Sequence, residues 1–392
     1  MSVTLIADDL TGACDAGALF AGRGKVGVLT DSAAAGPGWE VLAIDTESRG
    51  LTPEHAAARV AHTARQLGPR LDHGRIFKKI DSTVRGAVAA ELEALLTGTG
   101  RDRALVCPTF PGQQRTVRGG ILRVGGIPVH QSAIGRDPSF PGPTSDVVEI
   151  LRRGTPRPVR HLSLAEVRSG DHALATVLAD RGEAVIVADA ERDTDLDALA
   201  RAAVAHPLVV PAGSAALAGA ISRALGHAGA PVPLPDGRAW LILVGSLHPA
   251  SRAQIAALRA AGVAGATLES AGQRALDDLA REIERGRPAF LVTDEAGAPD
   301  PDTRADTARR LAGSAARLLS RARPDLVVVT GGETAHALLV ALGASRLDVL
   351  GAPASGLALA DLVTGESTLP VLTKAGGFGG PELLCTLLEG RA

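Results

Sequence analysis

The sequence predicts a two-domain α/β protein, each domain a largely parallel sheet flanked by helices. Three observations lead there. A chain of 392 residues exceeds what one hydrophobic core usually serves. Short β-branched runs alternate with Ala/Leu-rich stretches almost from end to end, which is the pattern of strand–helix–strand units. A Gly/Pro/Ala-rich stretch, GHAGAPVPLPDG at 226–237, interrupts that rhythm and reads as a linker. The expected division is 1–228, a linker at 229–238, and 239–392, with an active-site cleft between the domains.

In the first domain the strand candidates are Val3–Ala7, Val26–Thr30, Val41–Asp45, Arg75–Ile80, Ala104–Pro108, Ala184–Ala188 and Leu208–Pro211. Helices are expected at Thr11–Arg23, Pro53–Leu67, Ala87–Leu96, Leu196–Val204 and Ser214–Leu225. The segment from Gly112 to Pro158 is rich in Gly, Pro and Arg and has little periodicity, so it reads as a long functional loop. The second domain begins with strand Trp240–Val244 and continues through helix Pro249–Ala261, strand Ala289–Thr293 and helix Thr303–Ala322. Strand Leu326–Thr330, helix Thr334–Leu342 and strand Leu369–Thr373 complete it. No internal repeat is evident.

Composition narrows the function. The formal net charge is −2, so no overall field favours nucleic acid or an anionic membrane. Aromatics make up 2% with no Tyr, which removes most stacking platforms for single strands. Cys14, Cys107 and Cys385 are far apart and show no CxxC spacing, against a zinc ribbon or disulfide framework and in favour of a reducing compartment. The first residues read as a strand rather than a signal peptide, and no apolar run approaches the roughly 18 residues that span a bilayer. The expectation is a cytoplasmic protein with small-molecule partners, no nucleic acid and no membrane.

Ligands of open α/β sheets gather at the carboxyl ends of strands, so motifs placed there carry the weight. Asp8 and Asp9 follow the first strand and open a helix. One Asp suffices as an N-cap, so a pair suggests a carboxylate that binds a substrate hydroxyl or accepts its proton. Lys78-Lys79-Ile80-Asp81-Ser82-Thr83-Val84-Arg85-Gly86 gathers cations, a carboxylate and hydroxyls within nine residues, a mixture suited to a polyhydroxylated acid. A surface helix with solvated charges would explain it equally well. Arg115 follows another strand and could clamp an anion or sit in a plain loop; Arg136-Asp137 carries the same ambiguity. Later in the chain, Thr330-Gly331-Gly332-Glu333-Thr334 and Lys374-Ala375-Gly376-Gly377-Phe378-Gly379-Gly380 place glycines at strand ends. There, backbone N–H groups can approach a phosphate. With the Gly245-Ser246 turn they make three such turns, a better sign of a nucleotide crevice than any one alone.

Other patterns are decoys. Gly22-Arg23-Gly24-Lys25-Val26-Gly27 is literally GxGxxG, yet it follows a helix and precedes a strand, the reverse of the dinucleotide order. GxxxxGK[ST], GxSxG and HExxH are all absent. His55 and His62 read as exposed positions on a helix.

Taken together, ADDLTGACDAG at 7–17, KKIDSTVRG at 78–86, CPTFPGQQRTVRGG at 107–120 and RDPSFPGPTSDVVEIL at 136–151 resemble the four-carbon acid sugar kinase family. VGSLHPASRAQI at 244–255, TGGETA at 330–335 and TKAGGFGG at 373–380 extend the resemblance over nearly the whole chain; Cys14 and His248 depart from the family's usual residues. The resemblance implies a sugar-acid-binding first domain and an ATP-binding second one. Asp8, Asp9 and Asp81 would be catalytic, and Lys79, Ser82, Arg85 and Arg115 would bind substrate, with Lys79 and Arg85 neutralising its carboxylate. Ser246, Gly331, Gly332, Glu333, Thr334, Lys374, Gly376 and Gly377 would bind the nucleotide, with Mg²⁺ as cofactor and no metal ligands assigned. The reaction implied is ATP-dependent phosphorylation of a threonate, erythronate or oxo-tetronate, in a chain that could form a homodimer. A non-catalytic sensor of sugar acids, and a dehydrogenase or isomerase, are the rival readings.

Overall fold

A computed structural model describes residues 2–36, 38–179, 182, 184–293 and 301–390. The chain divides into two compact units, Met1–Gly229 and Ala230–Ala392.

The strands of the first unit are β1 (Val3–Ala7), β2 (Val26–Leu29), β3 (Val41–Asp45), β4 (Arg75–Lys79), β5 (Arg103–Cys107), β6 (Arg115–Arg118), β7 (Ile121–Val124), β8 (Ile127–Pro128), β9 (Val159–Leu162), β10 (Ala184–Ala188) and β11 (Val209–Gly213). Eight form one parallel sheet in the order β2-β3-β1-β4-β11-β5-β10-β9. β1, β3 and β5 are buried at every position, as strands of a sheet covered on both faces are, which is why they read as mainly apolar runs. Helix Pro53–Leu67 shows the local logic: Thr52 caps it, Pro53 opens it, and Ala56, Val60, Ala64 and Leu67 bury one stripe. Ile6, Ile44, Val60, Leu92, Val106 and Val187 belong to the core cluster of this unit.

The chain runs from β1 to β3 on one side and then crosses to β4 on the other, so strand order reverses beside β1. Register pairs Ala7 with both Asp45 and Lys79, and Gly213 with both Lys79 and Cys107. The residues that follow these strands therefore emerge on one edge, at a switch point.

The segment expected to be a long loop is built. β6, β7 and β8 form a small antiparallel sheet, and Asp146 caps a short helix, Val147–Arg152. Its turns use Gly119-Gly120 and Gly125-Gly126, all at positive φ, so the glycine density that suggested irregularity marks tight turns instead.

The second unit contributes β12 (Trp240–Val244), β13 (Ala264–Thr267), β14 (Ala289–Val292), β15 (Leu326–Thr330), β16 (Arg346–Gly351), β17 (Leu357–Thr364) and β18 (Ser367–Lys374). Their order is β13-β14-β12-β15-β18-β17-β16, with β17 antiparallel to both neighbours. Here the reversal lies between β12 and β15. Sequence reading omits β13, β16, β17 and the helices Gln273–Glu284 and Leu383–Leu388. β13 reads AGAT and offers no apolar run, whereas the helix at 273–284 has a regular stripe of Leu276, Leu279, Ala280 and Ile283.

A buried ion pair sits under the first sheet's edge. Lys78 Nζ lies 2.6 Å from Glu91 Oε2, and both side chains are sealed from solvent (0% and 1% exposed). Removing one partner leaves a lone buried charge, whereas removing both does not. Lys78→Met should lower the unfolding free energy by about 3–5 kcal/mol, and Lys78→Met/Glu91→Met should recover most of it in urea denaturation. Equal losses in the single and double variants would contradict this.

Candidate active site

Arg49 organises the edge of the first sheet. It follows β3, and its Nε and Nη2 donate to Asp8 Oδ2 and Oδ1 at 2.7 and 2.8 Å. Its Nη1 and Nη2 donate to Asp9 Oδ2 and Oδ1 at 2.7 and 2.8 Å. The adjacent carboxylates tolerate one another because a single planar guanidinium serves both. Burial pushes Asp8 up, but Arg49, with Lys78 and Lys79, pulls harder and holds it below the usual carboxylate range. Arg49 in turn, despite burial, is held above its ordinary value by Asp8, Asp9 and Asp81. Asp9 is also the N-cap of helix Leu10–Ala18, accepting from Gly12 N at 2.9 Å. Capping and charge pairing are thus combined in one residue.

Asp81 follows β4. Arg85 donates Nε to its Oδ2 at 3.0 Å and Nη2 to its Oδ1 at 2.9 Å, while Thr83 donates both its backbone N–H and its hydroxyl. Against burial, Arg85, Arg49 and Arg115 hold Asp81 well below the usual range. It is a fixed anion and a poor proton acceptor. Arg85 also reaches Asp137 at 3.2 Å, so its charge is already met by two carboxylates. The expectation that Arg85 neutralises a ligand's carboxylate does not fit that pairing.

On this edge Lys79 and Arg115 form no ion pair among the described residues. Lys79 Nζ donates to Ile80 O at 3.0 Å and lies against Gly12. Arg115, on β6, donates to the Ser82 hydroxyl, while its Nε is buried without a partner. Burial pushes Arg115 below its ordinary value and Asp81 only partly restores it, in contrast to Arg49 and to Arg85, which Asp81 raises. Arg115 is the site's guanidinium most in need of an anion.

Sequence reading missed Arg49 and Asp15. Arg49 stands four residues past the end of β3, where the rule applied to the other strands would have found it. Asp15 lies on helix Leu10–Ala18, one turn beyond Gly12, and burial pushes its carboxyl up to about 6, with Lys79 opposing and Asp9 adding to the shift. His55 and His62 are exposed, as their helix pattern suggests.

In the second unit, register aligns Val244 with Thr330 and Thr330 with Lys374, so three glycine turns emerge side by side. A Cβ on Gly376 would collide with the Ser246 hydroxyl, and one on Gly245 with the Thr334 hydroxyl. Gly331 has φ +102° and precedes helix Gly332–Ala341, which has no side-chain cap to occupy its first N–H groups. Ser246, Gly331, Gly332, Thr334, Gly376 and Gly377 are gathered on this edge, with Glu333 in the first turn of that helix. Lys374 differs: its ammonium turns inward, donating to Ala375 O and Phe378 O at 3.0 Å each. Among the described residues, no group of three or more His, Cys, Asp or Glu side chains could hold a metal ion, and no helix is long and apolar enough to cross a membrane.

Two edges at switch points, one lined by fixed charges and one by bare backbone N–H groups, define an α/β protein of the kind that handles an anionic small molecule and a phosphate compound. Comparison with known proteins agrees. Residues 3–221 match a sugar-binding N-terminal domain and residues 241–384 a nucleotide-binding C-terminal domain. The chain belongs to the four-carbon acid sugar kinase family. It is 36% identical to a D-threonate kinase of Bordetella bronchiseptica, over 97% of this chain and 95% of that one. It is 30% identical to a D-erythronate kinase of Heliobacterium modesticaldum, over 99% and 96% respectively. A Salmonella typhimurium crystal structure shares the fold at TM-score 0.80 and 18% identity, covering 98% of both chains. A Bordetella bronchiseptica protein solved as a domain-swapped dimer with bound citrate is 34% identical at TM-score 0.51, covering 100% of this chain and 98% of that one.

Asp15 gives a pH test. Its folded value of about 6 lies above the ordinary 3.8, so the folded state holds the proton more tightly. The stability it contributes is fully present below the ordinary value and is lost as pH rises through about 6. Asp15→Asn should therefore raise the unfolding free energy at pH 7.5 by about 1–3 kcal/mol and change it little at pH 4. A pH-independent difference in thermal or urea unfolding would contradict the assignment.

Proposed function

We propose that this protein is an ATP-dependent kinase that phosphorylates a hydroxyl of a four-carbon sugar acid of the threonate, erythronate or 3-oxo-tetronate type. The observation that carries the substrate class is that Arg115 and Lys79 form no ion pair among the described residues, on an edge where Arg49 and Arg85 are already paired. Two cations held near fixed carboxylates suit one ligand carboxylate and several hydroxyls. Relatives of this chain named D-threonate kinase, D-erythronate kinase and 3-oxo-tetronate kinase support the same class.

In this reading Arg115 and Lys79 take the acid's carboxylate, and Ser82 binds a hydroxyl. Arg85 acts through Asp81 rather than on the ligand. Asp8 and Asp81, both held ionised, accept hydrogen bonds from the acid's hydroxyls and orient the attacking one, while Asp9 is committed to Arg49 and the helix cap. A strong base is not required, because phosphoryl transfer through a loose transition state depends mainly on positioning and charge stabilisation. The hydroxyl oxygen bonds to the γ-phosphorus, the bond to the β-phosphate oxygen breaks, and the hydroxyl proton is released. Ser246, the turn at Gly331-Gly332 and the loop at Gly376-Gly377 hold the nucleotide's phosphates, and the N–H groups of Gly376 and Gly377, which have no acceptor among the described residues, fit that role. Glu333 and Thr334 position that turn. Mg²⁺ would supply neutralisation of the nucleotide's phosphate charge, and no residue of this chain is assigned to hold it. A homodimer and a cytoplasmic location complete the proposal.

The test is ADP release from Mg²⁺-ATP with D-threonate, D-erythronate and 3-oxo-tetronate. Turnover with at least one is expected, and silence with all three would overturn the substrate class. Arg115→Met should raise KM for the acid about 10-fold or more, the range of a lost charge-assisted pair, with a smaller effect on KM for ATP. Unchanged KM for the acid would remove Arg115 from the carboxylate site.

A further inference from the structure

The loop that follows β18 is held from behind by three side chains, and every contact points the same way. Lys374 Nζ donates to Ala375 O and Phe378 O at 3.0 Å and to Gly376 O at 3.5 Å. Ser251 Oγ, from helix Pro249–Ala260, donates to Gly376 O at 2.6 Å. Gln254, one turn along the same helix, donates Nε2 to Phe378 O at 2.9 Å, Gly379 O at 3.2 Å and Gly380 O at 3.0 Å. Lys374, Ser251 and Gln254 are themselves fully buried, each at 0% exposure.

A peptide unit whose C=O is drawn to one side presents the N–H of the next residue to the other. With the carbonyls of Ala375 and Gly376 fixed inward, the N–H groups of Gly376 and Gly377 are turned out. Neither has an acceptor among the described residues. Lys374 makes no ion pair among the described residues, and burial lowers its ammonium to about 8. Its partners are carbonyl dipoles, so its positive charge lies uncompensated one peptide layer behind the exposed N–H groups. Cation and aligned dipoles both favour an anion on the open side.

We infer that Lys374, Ser251 and Gln254 form a scaffold that sets the loop's N–H groups toward a phosphate of the nucleotide, Lys374 acting through the loop without touching the ligand. This rests on the nucleotide-binding reading of the second unit. It replaces the expectation that Lys374 contacts the cofactor directly, and it adds Ser251 and Gln254, which sequence motifs did not single out. They are positioning residues, and none supplies a group to the reaction.

The experiment is calorimetric titration of the full chain with Mg²⁺-ADP and, separately, with D-threonate, for wild type, Lys374→Met, Ser251→Ala and Gln254→Met. The expected result is at least 10-fold weaker ADP binding for Lys374→Met, and roughly 3-fold or greater weakening for each of the other two. D-threonate binding should stay within about twofold of wild type in all three, since the acid's site lies in the other unit. Should Lys374→Met fail to fold, the two helix variants decide alone. If only Lys374→Met weakens ADP, the lysine contacts the nucleotide itself and the scaffold is overturned; if ADP and D-threonate weaken in parallel, the three residues serve general stability and it is overturned too. Wild type that binds D-threonate but no ADP would instead remove the nucleotide reading, and the scaffold with it.

Discussion

The double engagement of Arg49 by Asp8 and Asp9 is the interaction on which the first site depends. Two carboxylates adjacent in sequence, at the end of a buried strand and the start of a helix, would repel strongly without a shared cation. Arg49 resolves this from the neighbouring strand, and in doing so it ties the turn after β3 to the turn after β1. Asp81 and Arg85 repeat the device on the other side of β1, after β4. Both pairs sit where strand order reverses, the place at which an open parallel sheet leaves a crevice. The site is therefore a set of charges immobilised before any ligand arrives, which is the form of preorganisation that electrostatic catalysis needs.

What distinguishes the charges is whether they are already satisfied. Arg49 and Arg85 are, and their carboxylate partners hold them above their ordinary values; Arg115 is not, and burial lowers it. The motif KKIDSTVRG looks uniform as a string of charged and hydroxyl residues, yet it separates into three functions once folded. Lys78 pairs with Glu91 underneath, Asp81 and Arg85 pair with one another, and Lys79 and Ser82 line the edge. In the second unit three buried side chains, Lys374, Ser251 and Gln254, donate to the carbonyls of the loop after β18.

The sheets were legible because their inner strands are buried: Val3–Ala7, Val41–Asp45, Ala184–Ala188, Trp240–Val244 and Leu326–Thr330 are predominantly apolar runs with sharp ends. The edges were legible for the same reason, since Asp8, Asp81, Gly331 and Gly376 fall directly after such runs. Small or polar strands such as Ala264–Thr267 escaped, because nothing in their composition separates them from loops. Partnerships escaped as well. Nothing local in sequence says that Arg85 also finds Asp137 or that Arg115 finds Ser82. Those are consequences of long-range packing, and they decide which cation is available to a ligand. Arg49 is different, because its place just after β3 is itself visible in the sequence.

Cations left unpaired on the first edge should select an acid over an uncharged polyol of the same length. The most direct measurement compares kcat/KM for a tetronate with that for the matching tetritol, in which the carboxylate is replaced by a hydroxymethyl group. A preference for the acid of about 100-fold or more is expected, because the guanidinium of Arg115, its Nε buried without a partner, would otherwise remain without a counter-ion. Comparable values for the two compounds would contradict it.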